Sequence, residues 1–312
     1  MRNYCVGVDV GGTSVKLGLF DVTGKLLEKW SIPTRKEEKG IHVFPDIAAS
    51  IRNKTEENGI TLADLTGVGI GVPGPVEADG YVGKLVNIGL YDLNPAKILS
   101  DLLDGVSVKA GNDANVAALG ETWLGGAKGY KDVVMFTLGT GVGGGIVING
   151  QLFCGSHGMG GELGHMTVNP EETVACNCGN HGCLEQYASA TGVVRVARMQ
   201  LEKQPGDSVL RQKDNFSAKD VFDAARAGDA AAVAAVEKLG HYLGMAMSWV
   251  ALTVDPEVFI LGGGVSKAGE ILLDVVRRNF EKNIHICEKK AEVVLATLGN
   301  DAGICGAAKM VL

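Results

Sequence analysis

The chain has 312 residues, too many for one ordinary hydrophobic core and enough for two domains. Hydrophobic residues make up 46% and charged residues 21%, a globular balance, and the net charge of −7 without any Lys/Arg run argues against a nucleic-acid surface. The longest apolar run, 242–254, is 13 residues long and contains Gly, Ser and Thr, so it reads as a buried helix and excludes a membrane span. No signal peptide is expected, because Met1-Arg2-Asn3-Tyr4 leads straight into a strand-like run. A cytoplasmic location follows, in which the seven cysteines stay reduced.

The first elements read as a β-meander: strands at 5–9, 15–20 and 25–30 with glycine turns between them. Asp9-Val10-Gly11-Gly12-Thr13 forms the first hairpin. Glycines there let backbone N–H groups approach an anion, the Thr13 hydroxyl can donate to it, and Asp9 can hold Mg²⁺ through water. An ordinary glycine-rich hairpin is the competing reading. Gly71-Val72-Pro73-Gly74-Pro75 is a rigid turn after a strand around Val68. A strand at 106–110 runs into Gly111-Asn112-Asp113-Ala114-Asn115 and an Ala-rich helix, so Asp113 sits at a helix N-terminus. There it is either an N-cap or a general base whose ionised form the helix dipole favours.

The strand–turn–strand pattern returns at 133–153. A strand at 133–138 is followed by a Gly/Thr turn at 139–145, a strand at 146–148, the hairpin signal Asn149-Gly150, and residues 151–153. Gly139, Gly141 and Gly144 match a dinucleotide fingerprint, but a hairpin follows instead of the required helix, so that reading fails. No P-loop sequence occurs. Two such hairpins in two halves would face each other across a cleft and clamp a nucleotide's phosphates. Farther on, helices are expected at 188–203, with Ser189 or Thr191 as caps, at 221–227 after a box-like Ser217-Ala218-Lys219-Asp220, and at 229–253. The polar stretch 204–216 reads as a mobile loop. A buried strand then enters Gly262-Gly263-Gly264 and a helix over 267–280, a junction suited either to a nucleoside or to close helix–strand packing.

The densest chemistry lies at 161–185. Gly161-Glu162-Leu163-Gly164-His165 and the run Cys176-Asn177-Cys178-Gly179-Asn180-His181-Gly182-Cys183-Leu184-Glu185 place one His, three Cys and two Glu of interest within 25 residues. His165, Cys176, Cys178 and Cys183 have the number and type of ligands for a closed tetrahedral zinc site. Glu162 and Glu185 are then left over for a polar substrate. His181 reads as a loop residue. His42, His157, His241 and His285 are isolated, and Cys154 has no assigned role.

These residues carry a resemblance over nearly the whole chain. The Asp9–Thr13 and Gly71–Pro75 segments, Asn112-Asp113-Ala114-Asn115, the turn after Leu138, Glu162-x-x-His165, the cysteine run and the closing Asp301-Ala302-Gly303 resemble the ROK family of sugar kinases. The continuation from Cys183 to Gly192 is most similar to its bacterial glucokinases. The resemblance implies an α/β, two-lobed actin/Hsp70/hexokinase-like (ribonuclease H-like) ATPase fold with a nucleotide cleft between the lobes. It implies one domain over 1–118 plus about 302–312, and a larger one over 119–301 that carries the zinc loop.

The resemblance also implies roles. Asp113 matches the catalytic aspartate, which takes the proton from the sugar's O6 hydroxyl. Asn87, Asn112, Glu162, His165 and Glu185 match residues that hold the sugar. Asp9, Gly11, Gly12, Thr13, Thr140 and Gly141 match the phosphate and Mg²⁺ region, and Gly262 and Gly263 fall in the nucleoside region. His165, Cys176, Cys178 and Cys183 match the zinc ligands. Implied cofactors are ATP, Mg²⁺ and a structural Zn²⁺; the implied partners are a sugar and a nucleotide, with assembly as a homodimer or homotetramer. Gly89-Leu90-Tyr91 departs from the family, which usually has a Trp there.

The expected reaction is phosphorylation of a hexose, glucose first, with N-acetylmannosamine, fructose or allose kinases as near alternatives and a non-catalytic sugar sensor as a further one. The repressor branch of the family carries a helix-turn-helix domain, for which the eight residues before Asp9 leave no room. A chaperone or filament protein has no use for the zinc run or for Asn112-Asp113. Polyphosphate as donor would prefer an extended basic groove, of which the acidic net charge gives no sign.

Overall fold

The structure is a computed structural model that describes every residue except Met1, Val86, Asn87 and Gln204. Strand β1 (Tyr4–Val10) sends Val6, Val8 and Val10 into one apolar cluster and Cys5 into another, so both faces of its sheet are covered. β2 (Ser14–Asp21) pairs antiparallel with β1, and β3 (Leu26–Pro33) antiparallel with β2. Helix α1 (Val43–Glu57) leads to β4 (Leu65–Val72), which lies parallel to β1. β5 (Val82–Leu85) and β6 (Leu90–Leu93) form a separate antiparallel pair. Helix α2 (Pro95–Leu102) starts with Pro in its first turn and with the Asn94 side chain accepting the Lys97 N–H. β7 (Val108–Asn112) then runs parallel to β4 and completes a sheet of order β3-β2-β1-β4-β7. Helix α3 (Asp113–Leu124) follows with no intervening loop.

The second sheet has the same plan. β8 (Val133–Leu138), β9 (Val142–Ile148) and β10 (Gln151–Leu152) form the meander. Helices α4 (Glu185–Ala188), α5 (Ala190–Lys203), α6 (Ala218–Arg226) and α7 (Ala230–Val254) follow. β11 (Val258–Gly262), α8 (Glu270–Asn283) and β12 (Glu292–Leu295) complete the order β10-β9-β8-β11-β12, with β8, β11 and β12 parallel. Helix α9 (Ala302–Lys309) closes the chain.

The chain divides into two compact units. The first comprises Met1–Lys131, Gly145–Gly161 and Leu298–Leu312; the second comprises Asp132–Gly144 and Glu162–Thr297. The first crossing falls at Lys131–Asp132, where the sequence reading placed it near Leu119.

Within the first unit, α9 is seated by glycines. A β-carbon on Gly7 would stand 1.9 Å from the Ile304 carbonyl oxygen, and one on Gly69 would stand 1.7 Å from that of Ala307. On the α3 side, a β-carbon on Gly120 would stand 2.2 Å from the Ala302 oxygen, and one on Gly306 would stand 1.7 Å from that of Val116. No larger residue fits at these four points, so α9 lies closer to the sheet and to α3 than ordinary side-chain packing allows. At the end of α3, fully buried Glu121 accepts the Gly126 N–H and the Leu298 N–H, each at 2.8 Å.

Several expectations need correction. Only Gly139–Gly141 turns; Gly143, Gly144 and Gly145 belong to β9. At Gly145 the reason is space, since a β-carbon would stand 2.6 Å from that of Ala118. The helix expected over 267–280 begins at Glu270, because Gly269 takes a left-handed φ of 70° after a short 3₁₀ turn at Val265–Ala268. The helix expected over 188–203 is broken at extended Ser189 into α4 and α5, and Ser189 is the cap, accepting the Gly192 N–H at 2.9 Å. The stretch 204–216 contains a 3₁₀ turn, Val209–Gln212, whose Leu210 is buried. The Ser217/Asp220 capping box is present in full, with both reciprocal bonds made. Among the described residues no helix is long and apolar enough to cross a membrane.

Candidate active site

In the first unit the turn after β1 is held by its own backbone, with Gly11 N–H donating to Ser14 oxygen at 3.1 Å. Thr34, just beyond β3, latches it further: its hydroxyl donates to the Gly11 carbonyl at 2.8 Å and its N–H to the Thr13 carbonyl at 3.0 Å. Sequence reasoning missed Thr34, which carries no signal of its own. Thr13 stays exposed, so its hydroxyl is available to a ligand. Asp9 lies opposite Lys16 in the β1–β2 register, with 3.8 Å between Lys16 Nζ and Asp9 Oδ2. Burial pushes the Asp9 carboxyl above the ordinary carboxylate value, and Lys16 opposes this only in part. A carboxylate oxygen is the ligand type that a hard cation takes.

Asn112 and Asp113 have different local duties. Asn112 is the N-cap of α3, its Oδ1 accepting the N–H groups of Ala114 at 3.0 Å and Asn115 at 3.1 Å. Its Nδ2 donates to the Gly74 carbonyl at 3.2 Å, which ties the cap to the Gly71–Pro75 turn. The capping role left open for Asp113 therefore belongs to its neighbour. Asp113 is the first residue of α3, and its Oδ1 accepts the Ala114 N–H at 2.8 Å. Asn115, also missed in its local duty, donates from Nδ2 to the Gly160 carbonyl at 3.0 Å and so fixes the chain two residues before Glu162. Asn87 lies outside the described residues.

In the second unit the structure brings Glu162, His165, Glu185 and the three cysteines together. One ligand atom from each of His165, Cys176, Cys178 and Cys183 lies within 4.8 Å of all the others. Cys178 and Cys183 Sγ are 3.7 Å apart, and Cys176 Sγ is 4.0 Å from His165 Nδ1. Tetrahedral zinc–thiolate bonds of about 2.3 Å separate two sulfurs by about 3.8 Å, so the Cys178–Cys183 spacing suits two ligands of one such ion. Burial pushes the Cys183 thiol up to about 12, with the neighbouring Cys178 and Cys176 adding to the shift. With Nδ1 on the metal side, His165 Nε2 is left 3.9 Å from Glu162 Oε2. Backbone bridges Thr167–Cys183 and Ala175–His181 close the loop, and His181 itself stays out of the ligand group.

The turn at Gly139–Gly141 is shut by Gly139 N–H donating to Gly141 oxygen at 3.0 Å, and Thr140 is exposed. Gly262 ends β11, and Gly263 has φ 81° with a β-carbon position 2.6 Å from the Leu138 backbone. Close packing therefore accounts for Gly263, whatever else the junction does. Cys154 is half-buried, which raises its thiol pKa.

A doubled five-stranded α/β plan, two glycine–threonine hairpin turns and a carboxylate at a helix start define the actin/hexokinase-like class of ATPase fold. The chain belongs to the ROK family, whose sequence model matches residues 5–312. It is 43% identical over 308 residues to a glucokinase of Halalkalibacterium halodurans, covering 97% of this chain and 93% of that one. A Thermotoga maritima glucokinase is 36% identical over 312 residues, covering 98% and 96%. Among solved structures it is similar to a ROK family glucokinase from Streptomyces griseus in complex with glucose and AMPPNP, with TM-score 0.75, 35% identity and 98% of both chains covered. A ROK hexokinase from Thermus thermophilus gives TM-score 0.81 at 34% identity, covering 98% of this chain and 96% of that one.

Proposed function

We propose that this chain transfers the γ-phosphoryl group of Mg·ATP to the 6-hydroxyl of a hexose, glucose first, yielding glucose 6-phosphate and ADP. The observation that carries the reading is the Asn112–Asp113 pair at the start of α3: Asn112 supplies the N-cap, and the Asp113 carboxylate stands at the same helix start as the group that accepts the O6 proton. Phosphoryl transfer asks little more of a protein than one placed carboxylate and donors around the phosphates. The similarity to glucokinases at 34–43% identity supports glucose as the sugar. N-acetylmannosamine, fructose and allose remain the alternatives, and an N-acetylgalactosamine kinase of Shewanella at 31% identity adds another amino sugar to them.

Glu162, His165 and Glu185, with Asn87 and Asn112, bind and orient the ring hydroxyls, each offering a fixed acceptor or donor. The first glycine turn with Asp9 and Thr13, and the second with Thr140 and Gly141, bind the phosphates, while Gly262 and Gly263 lie by the nucleoside. Asp9 would hold Mg²⁺ through water, and the ion would supply positive charge to offset that of the phosphates. His165, Cys176, Cys178 and Cys183 would hold Zn²⁺, which when bound would fix the His165 tautomer and the loop that carries the sugar-binding side chains. A cytoplasmic location, where thiols stay reduced, suits these ligands. Assembly is as a homodimer or homotetramer.

The test is ADP release from Mg·ATP by purified, zinc-loaded protein with glucose, N-acetylmannosamine, N-acetylgalactosamine, mannose, fructose, allose or no sugar. Glucose-dependent release with little background is the expected result. Release with another sugar alone replaces the substrate, and release with none sinks the kinase reading.

A further inference from the structure

The stretch that follows the last cysteine braces the second glycine turn residue by residue. Ala190 N–H donates to the Gly139 carbonyl at 2.8 Å, and the Thr191 hydroxyl donates to the Thr140 carbonyl at 2.7 Å. Glu185 Oε2 accepts the Val142 N–H at 3.2 Å, and a β-carbon on Gly141 would stand 2.1 Å from the same oxygen. The brace is itself rigid. Fully buried Ser189 donates to the Glu185 carbonyl at 2.7 Å, accepts the Gly192 N–H at 2.9 Å and lies 3.0 Å from the Thr191 hydroxyl. Its other end reaches the cysteine loop, where the Cys183 N–H donates to Gln186 Oε1 at 3.1 Å and the Gln186 N–H donates to the Cys183 carbonyl at 3.0 Å.

The brace acts through peptide planarity. In a trans peptide the N–H points opposite to the carbonyl of the preceding residue. Tying the Gly139 carbonyl to Ala190 therefore turns the Thr140 N–H away from α5, and tying the Thr140 carbonyl to Thr191 does the same for the Gly141 N–H. Two successive N–H groups held on one side of a turn form an anion-binding concavity. Flanking glycines would otherwise let these peptides rotate at little cost.

We propose that Thr191 is a positioning residue for the nucleotide phosphates, and that the Cys/His cluster sets nucleotide affinity through the 185–191 stretch. This rests on the kinase reading and on Thr140 and Gly141 lying at the phosphates. The test measures dissociation constants for Mg·AMPPNP without sugar, and for glucose without nucleotide, by titration calorimetry on zinc-loaded protein. Thr191→Val keeps the side-chain shape and removes the donor; Thr191→Ser keeps the donor. The expected result is nucleotide binding weakened about threefold to tenfold in Thr191→Val, as the loss of one hydrogen bond implies. Glucose binding should stay within about twofold, and Thr191→Ser should regain wild-type nucleotide affinity. Metal-stripped wild type should lose at least as much nucleotide affinity as Thr191→Val. Unchanged nucleotide binding in Thr191→Val or in the stripped protein overturns the inference, as does equal loss for both ligands in Thr191→Val or a failure of Thr191→Ser to recover. Wild-type protein that binds no nucleotide at all overturns the kinase reading itself.

Discussion

A β-carbon on Gly303 would stand 2.7 Å from Cγ of Asp9 and 2.9 Å from its Oδ2. Gly303 is in the first turn of α9, so the helix start and the carboxylate share one small space. Gly303→Ala should push the Asp9 carboxylate off its position while costing about 1–3 kcal/mol of stability. Turnover should fall, and the Mg²⁺ concentration for half-maximal rate should rise. Wild-type Mg²⁺ dependence in a folded Gly303→Ala protein would remove Asp9 from the metal's surroundings.

Asp113→Asn should lower kcat by about 10²–10⁴-fold, the usual range for removing a general base. The Asn112 cap does not depend on Asp113, so α3 and the fold should persist, and glucose affinity by calorimetry should change little. A variant with near-normal kcat would assign the proton to another group.

Cys178→Ser should lose bound zinc and thermal stability together, because binding energy in such a loop is folding energy. Metal content by atomic absorption and the melting temperature, with and without chelator, give both readings. Chelator should lower the wild-type melting temperature and leave the variant's unchanged. Equal zinc content in the two proteins would dissolve the proposed site.

Glu172 supplies a pH signature. Its Oε2 accepts from the Tyr187 hydroxyl at 2.6 Å and from Arg195 at 2.5 Å. Burial alone would raise its pKa, but these partners outweigh burial and hold it at about 2, against an ordinary 4.5. The folded-state value is depressed, so ionised Glu172 favours the folded state above the ordinary value. That contribution drains away as pH falls from 4.5 towards about 2. Glu172→Gln should unfold at lower urea than wild type at pH 7, and the gap should close across that acid window. Urea midpoints of both proteins, stripped of metal so that thiolate protonation cancels, measure it; a gap that stays constant with pH would show that Arg195 does not stabilise the carboxylate.

What the sequence made legible was local. Turn glycines, the Asn149-Gly150 hairpin, the Ser217/Asp220 box and the clustered ligands around His165 all announce themselves within a few residues, because the physics that fixes them acts over that range. The contacts that finish the site do not. Thr34 latches a turn more than twenty residues earlier, and Asn115 holds Gly160, 45 positions away. Glu121 carries no local signal of burial, yet it is fully buried and bonded to Leu298 across 177 positions. Glycine is ambiguous for the same reason: Gly150 is needed for the left-handed φ of 75° in its hairpin turn, whereas Gly145 is needed because another helix lies too close for a side chain. Composition alone does not separate those two uses.

The glycine seats of α9 set an order of events during synthesis. Gly7 and Gly69 leave the ribosome early, while Ile304 and Ala307, whose carbonyls fill those seats, emerge only after the residues of the second unit. Until then the face of the first sheet that carries Cys5 and Phe20 lacks its cover of Ile304, Cys305, Ala308 and Val311. The unit begun first is thus finished last, and its half-built sheet is the stage of the nascent chain most exposed to aggregation.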